Sequence, residues 1–299
     1  MTVQADGTRL DRAVANWRGL SRAAVLRLLD QGAVSCNGHV MNRANKGDAL
    51  SGGDCIELSG AYARGEVPRR DGSMDLVVLS EGDGWLVIDK PAGTPVRPHT
   101  LDEAGTILNA VVARCPYIIG VGEGGLRSGV VHRLDTDTSG ALLVATDQDV
   151  WDRLRFAFAE HRIQKRYLAI VAGAIDAAGV CRRHLRVAAH QPARVQVESE
   201  VVEAGDARLC SLGWRVIERF GERASLIEVD LHTGFLHQVR AMMSALGHAV
   251  IGDSTYGNSA TREQATRQML HAKSLSFEAI KVETAMPNDM QQVLQSLRG

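Results

Sequence analysis

The residues best suited to chemistry lie in one run, His132-Arg133-Leu134-Asp135-Thr136-Asp137-Thr138-Ser139-Gly140. It holds a carboxylate, Asp135, with the guanidinium of Arg133 in the same loop and a second acid, Asp137, just beyond. A Thr-Ser-Gly turn follows, whose short side chains can satisfy exposed backbone groups. A carboxylate can attack an electron-poor carbon, stabilise it, or remove a neighbouring proton. Taken alone, the run also reads as a charged surface loop, because acids and arginines are mostly exposed. Its setting points further. Gly129-Val130-Val131 leads in and Ala141-Leu142-Leu143-Val144-Ala145 leads out, which predicts a loop between two buried strands. Loops held by rigid strands are where chemistry is usually placed.

His-Arg-Leu-Asp followed by Thr-Ser-Gly and an apolar strand resembles the catalytic motif of the RluA-type RNA pseudouridine synthases. Other segments continue the likeness in order. Asp89-Lys90-Pro91-Ala92-Gly93 resembles the first motif of that family, and Lys165-Arg166-Tyr167 its Lys-x-Tyr motif. Thr233-Gly234-Phe235-Leu236-His237-Gln238-Val239-Arg240 resembles Thr-Gly-Arg-Thr-His-Gln-Ile-Arg, with Phe235 in place of the arginine and Leu236 in place of the threonine. Gly252-Asp253, Tyr256-Gly257 and Leu270-His271-Ala272 carry it towards the end.

The resemblance implies isomerisation of uridine in RNA: the bond from the sugar to nitrogen 1 of uracil breaks, the base turns, and it rejoins through carbon 5. No cofactor is expected, since the reaction needs no redox change and no external energy, and the sequence carries no metal or dinucleotide signature. Asp135 is then the catalytic acid, Arg240 the cation that holds its charge, and Tyr167 the ring stacked on the target base. Arg133 is suited to fill the gap left by the flipped uridine. Lys90, Lys165 and His237 are expected to contact RNA. Asp137 is read as a loop-shaping acid, because a side chain two residues along is poorly placed to reach the opposite face of the bond.

The surrounding elements must position these groups. Lys165 to Gly173 reads as a strand, and Arg223 to Leu231 alternates, with Ile227, Val229 and Leu231 on one face and Glu228 and Asp230 on a wet one. A helix is expected after His232, with apolar positions at Phe235, Val239 and Leu246 and with His237 and Arg240 sharing a face away from that stripe. The arginine-rich stretch Cys181 to Arg194 reads either as an RNA-following surface or as a solvated strand pair. Leu76 to Leu79 and Trp85 to Ile88 read as strands about a Gly-Asp-Gly turn, Thr106 to Cys115 as a short helix, and Pro287 starts a last amphipathic helix.

The N-terminal part reads as a separate module. Ser21 caps a helix whose apolar face is Ala24, Val25, Leu28 and Leu29, and Gly32 ends it. A hairpin turns on Asn37-Gly38, and a strand follows over Cys55 to Leu58. This order resembles the alpha-L RNA-binding motif, which implies that Arg9, Arg12, Arg18, Arg22 and Arg27 offer guanidinium groups to phosphates. Residues 61–75 have the composition of a linker. The two resemblances together imply an α+β fold: a small alpha-L RNA-binding domain over 1–60, then a catalytic domain over 76–299 built on a mixed, largely antiparallel sheet with flanking helices.

A formal net charge of −1 counts mildly against a nucleic-acid partner, although local clusters can still supply phosphate contacts. The scattered cysteines form no Cys-x-x-Cys pair and have no histidine at ligand spacing, so they read as free thiols. No apolar run approaches membrane-spanning length and the N-terminus has no secretory signature, which predicts a cytoplasmic protein with neither membrane nor nucleotide cofactor. No obligate protein partner is evident. Large-subunit ribosomal RNA is the first expected substrate and transfer RNA the second. Two readings of other classes are a non-catalytic RNA-binding or ribosome-assembly protein and a hydrolase of free nucleosides; the first predicts loss of Asp135, Tyr167 or Arg240, and the second needs no RNA-gripping module.

Overall fold

A computed structural model of the chain describes residues 2–4, 6–18, 22–58, 67–190, 192–198 and 206–299. It divides into two units, one made of Met1–Asp75, Arg97–Val130 and Ala145–Asp152, the other of Leu76–Val96, Val131–Val144 and Arg153–Gly299.

In the first unit, β1 (Thr8–Arg9) runs into α1 (Leu10–Arg18), a helix that buries Leu10, Ala13 and Val14. The spacing of Val25, Leu28 and Leu29 places them on one face of α2 (Arg22–Asp30), and all three are buried. Ser21, expected as its cap, and the side chains of Arg22, Ala24 and Arg27 lie outside the described residues. The hairpin of β2 (Val34–Cys36) and β3 (His39–Met41) turns on Asn37 and Gly38, whose φ angles of 51° and 79° are those the tight turn demands. β4 (Ala49–Leu50) pairs with β1, and β5 (Ile56–Leu58) with β2. Leu10, Val14, Val25, Leu28, Val34 and Ile56 meet in one core. The unit also holds α3 (Ile107–Arg114), capped by Thr106 and Asn109 bonding each other's backbone. Residues 61–66 of the expected linker, like 59 and 60 before it, lie outside the described residues. Its remainder is tied down, with Asn109 Nδ2 donating to the Arg69 carbonyl at 2.6 Å and the Asp71 N–H to the Asn109 carbonyl at 3.1 Å.

The second unit is built on a sheet of ten strands among the described residues: β6 (Val78–Gly82), β7 (Trp85–Lys90), β8 (Ser139–Ala145), β9 (Gln164–Ala172), β10 (Ala178–His190), β11 (Ala193–Val197), β12 (Arg208–Phe220), β13 (Ala224–Leu231), β14 (Leu270–Phe277) and β15 (Ile280–Glu283). Their order is β11-β10-β12-β13-β9-β14-β8-β7-β6, with β15 on β14. β14 runs parallel to β8 and antiparallel to β9, so the sheet is mixed and largely antiparallel, as the family resemblance implies. Along the chain come α4 (Gln148–Ala159), α5 (Gln238–Ala245), the short α6 (Ser259–Arg262) and α7 (Asn288–Arg298). Met290, Leu294 and Leu297 of α7 pack on Leu168, Ile170 and Leu226 of the sheet, each burial stabilising by about 1.5–3 kcal/mol.

Three expectations are corrected. Only the exit from the central loop is a strand, β8; Gly129 to Val131 forms none. β13 lies inside the sheet and is buried on both faces except at Asp230. Glu228, expected in water, is 2% exposed and accepts from Arg215 and Lys273. Paired cations, rather than solvent, satisfy this carboxylate. Lastly, the helix after His232 begins only at Gln238, so Phe235 precedes it, and Arg240 faces the interior at 5% exposed. The arginine-rich stretch resolves as the strand pair β10–β11, with Cys181 and Leu185 inward and Arg182, Arg183, Arg186 and Arg194 outward. No helix among the described residues is long and apolar enough to cross a membrane.

Candidate active site

Asp135 sits at the head of a tight turn in the loop before β8, closed by the Thr138 N–H on the Asp135 carbonyl at 3.1 Å. Two buried cations hold the turn's next carbonyls. Lys90 Nζ donates to Thr136 O at 2.7 Å, and also to Pro91 O and Thr94 O at 2.9 and 2.7 Å. Arg267 Nη1 donates to Asp137 O at 3.0 Å, while its other nitrogens grip Asp289. Gly140 ends the loop with φ +113°, and a Cβ there would collide with the backbone of Ala272 on the parallel neighbour β14. A glycine is therefore what lets β8 lie this close.

The side chain of Asp135 is fixed by α5. Arg240 Nη1 donates to Asp135 Oδ2 at 2.9 Å, its Nε and Nη2 to the two oxygens of Asp253 at 2.7 and 2.9 Å, and its Nη2 also to Thr255 Oγ1 at 3.2 Å. Burial opposes the guanidinium's charge, but the two carboxylates more than offset it and raise its pKa. Burial likewise disfavours the Asp253 anion. The bonds from Arg240 and the Tyr256 and Thr255 amides outweigh this and hold it below the usual carboxylate range. Gly252 makes the placement possible: at φ +77° it lies against the Arg267 carbonyl, where a Cβ would not fit.

Asp135, Arg240, Tyr167, Lys165, His237 and Arg133 all line one cavity of about 750 Å³, a volume that suits a small ligand or a single nucleotide. Tyr167 projects from β9; burial first, then the charge of Asp135, raises its phenol pKa, so it is protonated at neutral pH. Burial pushes the Lys165 ammonium down to about 8. His132, stacked on Phe158 at 4.7 Å, accepts the Leu143 N–H at 2.9 Å. Burial, then the charges of Lys165 and Arg155, pushes it down to about 3, so it is a neutral part of the scaffold. Among the described residues, no group of three or more His, Cys, Asp or Glu is placed to hold a metal.

This constellation of acid, arginine and tyrosine in one nucleotide-sized cavity lies in a chain whose residues 84–245 match the model of the RNA pseudouridylate synthases. The chain belongs to the RNA pseudouridylate synthase family. Its members isomerise uridine in RNA to pseudouridine, and RNA is its substrate. A ribosomal large subunit pseudouridine synthase D of Zymomonas mobilis is 33% identical, covering 99% of this chain and 96% of its own. An uncharacterized RNA pseudouridine synthase of Synechocystis is 32% identical, covering 98% and 90%. The solved human RNA pseudouridylate synthase domain containing 1 matches 75% of this chain and 95% of its own at 25% identity, with a TM-score of 0.56.

Within this RNA pseudouridylate synthase, the residues singled out from sequence are not all gathered. Asp135, Tyr167, Arg240, Arg133, Lys165 and His237 share the cavity, as do Phe235 and Leu236, the two departures from the motif. Lys90 requires a correction: it is fully buried, with its ammonium spent on three backbone carbonyls, so it braces the loop and has no surface to offer RNA. Arg9 is exposed in the first unit and forms a two-pronged pair with Asp11 at 3.0 and 2.8 Å. The Arg22 side chain lies outside the described residues. Sequence reasoning missed Asp253, Tyr256 and Arg267. Asp253 and Tyr256 were visible only as parts of Gly-Asp and Tyr-Gly pairs, while Arg267 lies in a polar stretch with no apolar period to mark it.

Proposed function

We propose that this synthase acts in the cytoplasm on large-subunit ribosomal RNA, with Asp135 as its catalytic acid. The single observation that carries the assignment of the acid is the 2.9 Å bond from Arg240 to Asp135 Oδ2 inside the cavity. It occupies one carboxylate oxygen and leaves Oδ1 for the substrate. The guanidinium complements the negative charge of the carboxylate and fixes its orientation in the cavity. The anion can then attack the sugar carbon or remove a neighbouring proton as the glycosidic bond breaks. Tyr167, protonated in place, offers its ring to the freed uracil. Its hydroxyl can take part in removing the carbon 5 proton only by passing its own proton on, directly or through water.

Arg133, exposed beside the acid, is the side chain proposed to fill the vacated stack. Lys165 and His237 face the same nucleotide from the cavity wall. The N-terminal residues 1–60 are proposed as an alpha-L RNA-binding domain whose Arg9 and Arg22 meet phosphates. The ribosomal target draws support from relatives over nearly the full chain that are named ribosomal large subunit pseudouridine synthase D, from Zymomonas mobilis and Nitrosomonas europaea.

The test is pseudouridine formation in large-subunit ribosomal RNA and in transfer RNA, with wild-type and Asp135→Ala protein. Wild type should convert the ribosomal RNA, and Asp135→Ala should be slower by at least about 10²–10⁴-fold. Conversion of transfer RNA alone overturns the target. Full activity in Asp135→Ala overturns the assignment of the acid.

A further inference from the structure

We propose that Tyr256 and His237 are a positioning pair for the reaction: the phenol locks the imidazole in its Nε2–H form, so that a donor and never a lone pair faces the open oxygen of Asp135. This rests on Asp135 being the catalytic acid. His237 stands at the N-terminus of α5 in the left-handed region, with φ 51° and ψ 21°. A residue with a side chain is uncommon there, and where one persists its surroundings hold it. Here the ring is held edge-on to Tyr256, with centroids 5.7 Å apart and planes at 82°.

The hydrogen bonds of the phenol and the carboxylate facing the ring together point to one tautomer. The Val195 N–H of β11 donates to Tyr256 Oη at 2.8 Å, which leaves the phenol one proton to place. Its partner is His237 Nδ1 at 3.0 Å. With the phenol donating, Nδ1 is the acceptor and the proton of a neutral imidazole must be on Nε2. Nε2 lies 3.9 Å from Asp135 Oδ1, the oxygen that Arg240 does not hold. The opposite tautomer would turn a lone pair towards a carboxylate and leave the phenol proton without this acceptor. The groups facing His237 are Asp135, Arg240, Asp253, Tyr256 and Arg133. Burial, then the cations among them, oppose its protonation more than the acids favour it.

Two consequences follow. His237 has no lone pair to offer substrate, so it is no general base; it is a fixed N–H that closes on Asp135 Oδ1, or on the substrate oxygen beside it, when the nucleotide enters. Separations of this kind shorten in the loaded site. Tyr256 also ties the site to the arginine-bearing strand pair β10–β11 through Val195, and its ring lies 5.3 Å from the Arg240 guanidinium.

Tyr256→Phe keeps that ring and removes only the hydroxyl. The expected reading of ¹⁵N-histidine spectra, with the His237 signal assigned by its loss in His237→Gln, is a protonated Nε2 and a bare Nδ1 in wild type. In Tyr256→Phe the two forms should mix, and kcat should fall by about tenfold, the size of one hydrogen bond, with KM little changed. A proton on Nδ1 in wild type overturns the proposal without any variant, and so does a Tyr256→Phe protein with unaltered kcat or an unaltered imidazole. Full activity in Asp135→Ala removes the reading on which the proposal rests, and is told apart from failure of the lock because the wild-type spectrum then still shows Nε2–H.

Discussion

Replacing Asp253 by asparagine should damage this enzyme more than its conservative chemistry suggests. Asp253 is fully buried. Its Oδ1 accepts from Arg240 Nη2 and from the amides of Thr255 and Tyr256, and its Oδ2 from Arg240 Nε. An asparagine can turn its carbonyl to the first three donors, but its NH2 then meets Arg240 Nε, donor against donor. Breaking a buried ion pair costs about 3–5 kcal/mol. Asp135 still holds Nη1 at 2.9 Å, so the lower end, about 3 kcal/mol, is expected, which for a unit of this size lowers Tm by roughly 6–12 °C. The pH dependence gives a second signature. The folded Asp253 carboxyl sits below its unfolded value, so its contribution is complete above the unfolded pKa of about 3.9 and is lost as pH falls through the folded value. The stability gap between wild type and Asp253→Asn should therefore be full at neutral pH and narrow in acid. Urea unfolding at both pH values measures it, and pseudouridine formation should slow as Arg240 loses its anchor. An unchanged Tm, or a gap as wide in acid as at neutral pH, refutes the reasoning.

Lys90→Met removes an ammonium that serves three carbonyls, at about 1–3 kcal/mol for each buried group left unmet, partly offset because a charge is no longer buried. Melting temperature and kcat should fall while RNA affinity by filter binding holds; lost affinity with an unchanged Tm would restore Lys90 to the RNA surface. Gly140→Ala sets a Cβ against the Ala272 backbone at φ +113° and should destabilise by about 2 kcal/mol or more, seen as a lower Tm. An unshifted melting curve would mean that β8 and β14 are not packed this tightly.

Much of this fold was legible because its signals are local. Asn37-Gly38 predicts its own turn, and Val25, Leu28 and Leu29 predict the buried face of α2. The alternation along Arg223 to Leu231 gave the strand correctly and its exposure wrongly, because period two reports which residues share a face and says nothing of what covers it. Glu228 looks solvated until Arg215, from the adjacent β12, and Lys273, from β14 beyond β9, are placed beside it. Lys90 misled for a similar reason: a lysine beside Pro and Gly reads as a surface cation, and only the fold shows three carbonyls converging on it. The acid, the tyrosine and the closing arginine were legible through their motifs; Asp253 and Arg267 were not, because the need for them arises only once Arg240 and the loop are buried.

The placement of Asp135 shows why a chain of almost no net charge can still organise an anionic substrate's chemistry. Three consecutive loop residues are each gripped by a buried cation from elsewhere in the chain: the carboxylate of Asp135 by Arg240, the carbonyl of Thr136 by Lys90 and the carbonyl of Asp137 by Arg267. These partners lie 105, 46 and 130 residues away, so the geometry of the acid exists only when the second unit is fully folded. Two of the cations are themselves matched by acids, Arg240 by Asp253 and Arg267 by Asp289. A buried charge is costly unless it is paired, as these two are, or fully hydrogen-bonded, as Lys90 is by three carbonyls, and each ion pair adds nothing to the net count. Near neutrality is thus what a site braced from within by ion pairs would produce. The charge balance that seemed to argue against RNA describes the scaffold under the acid, while Arg133, Arg182 and Arg194 stand exposed at the surface.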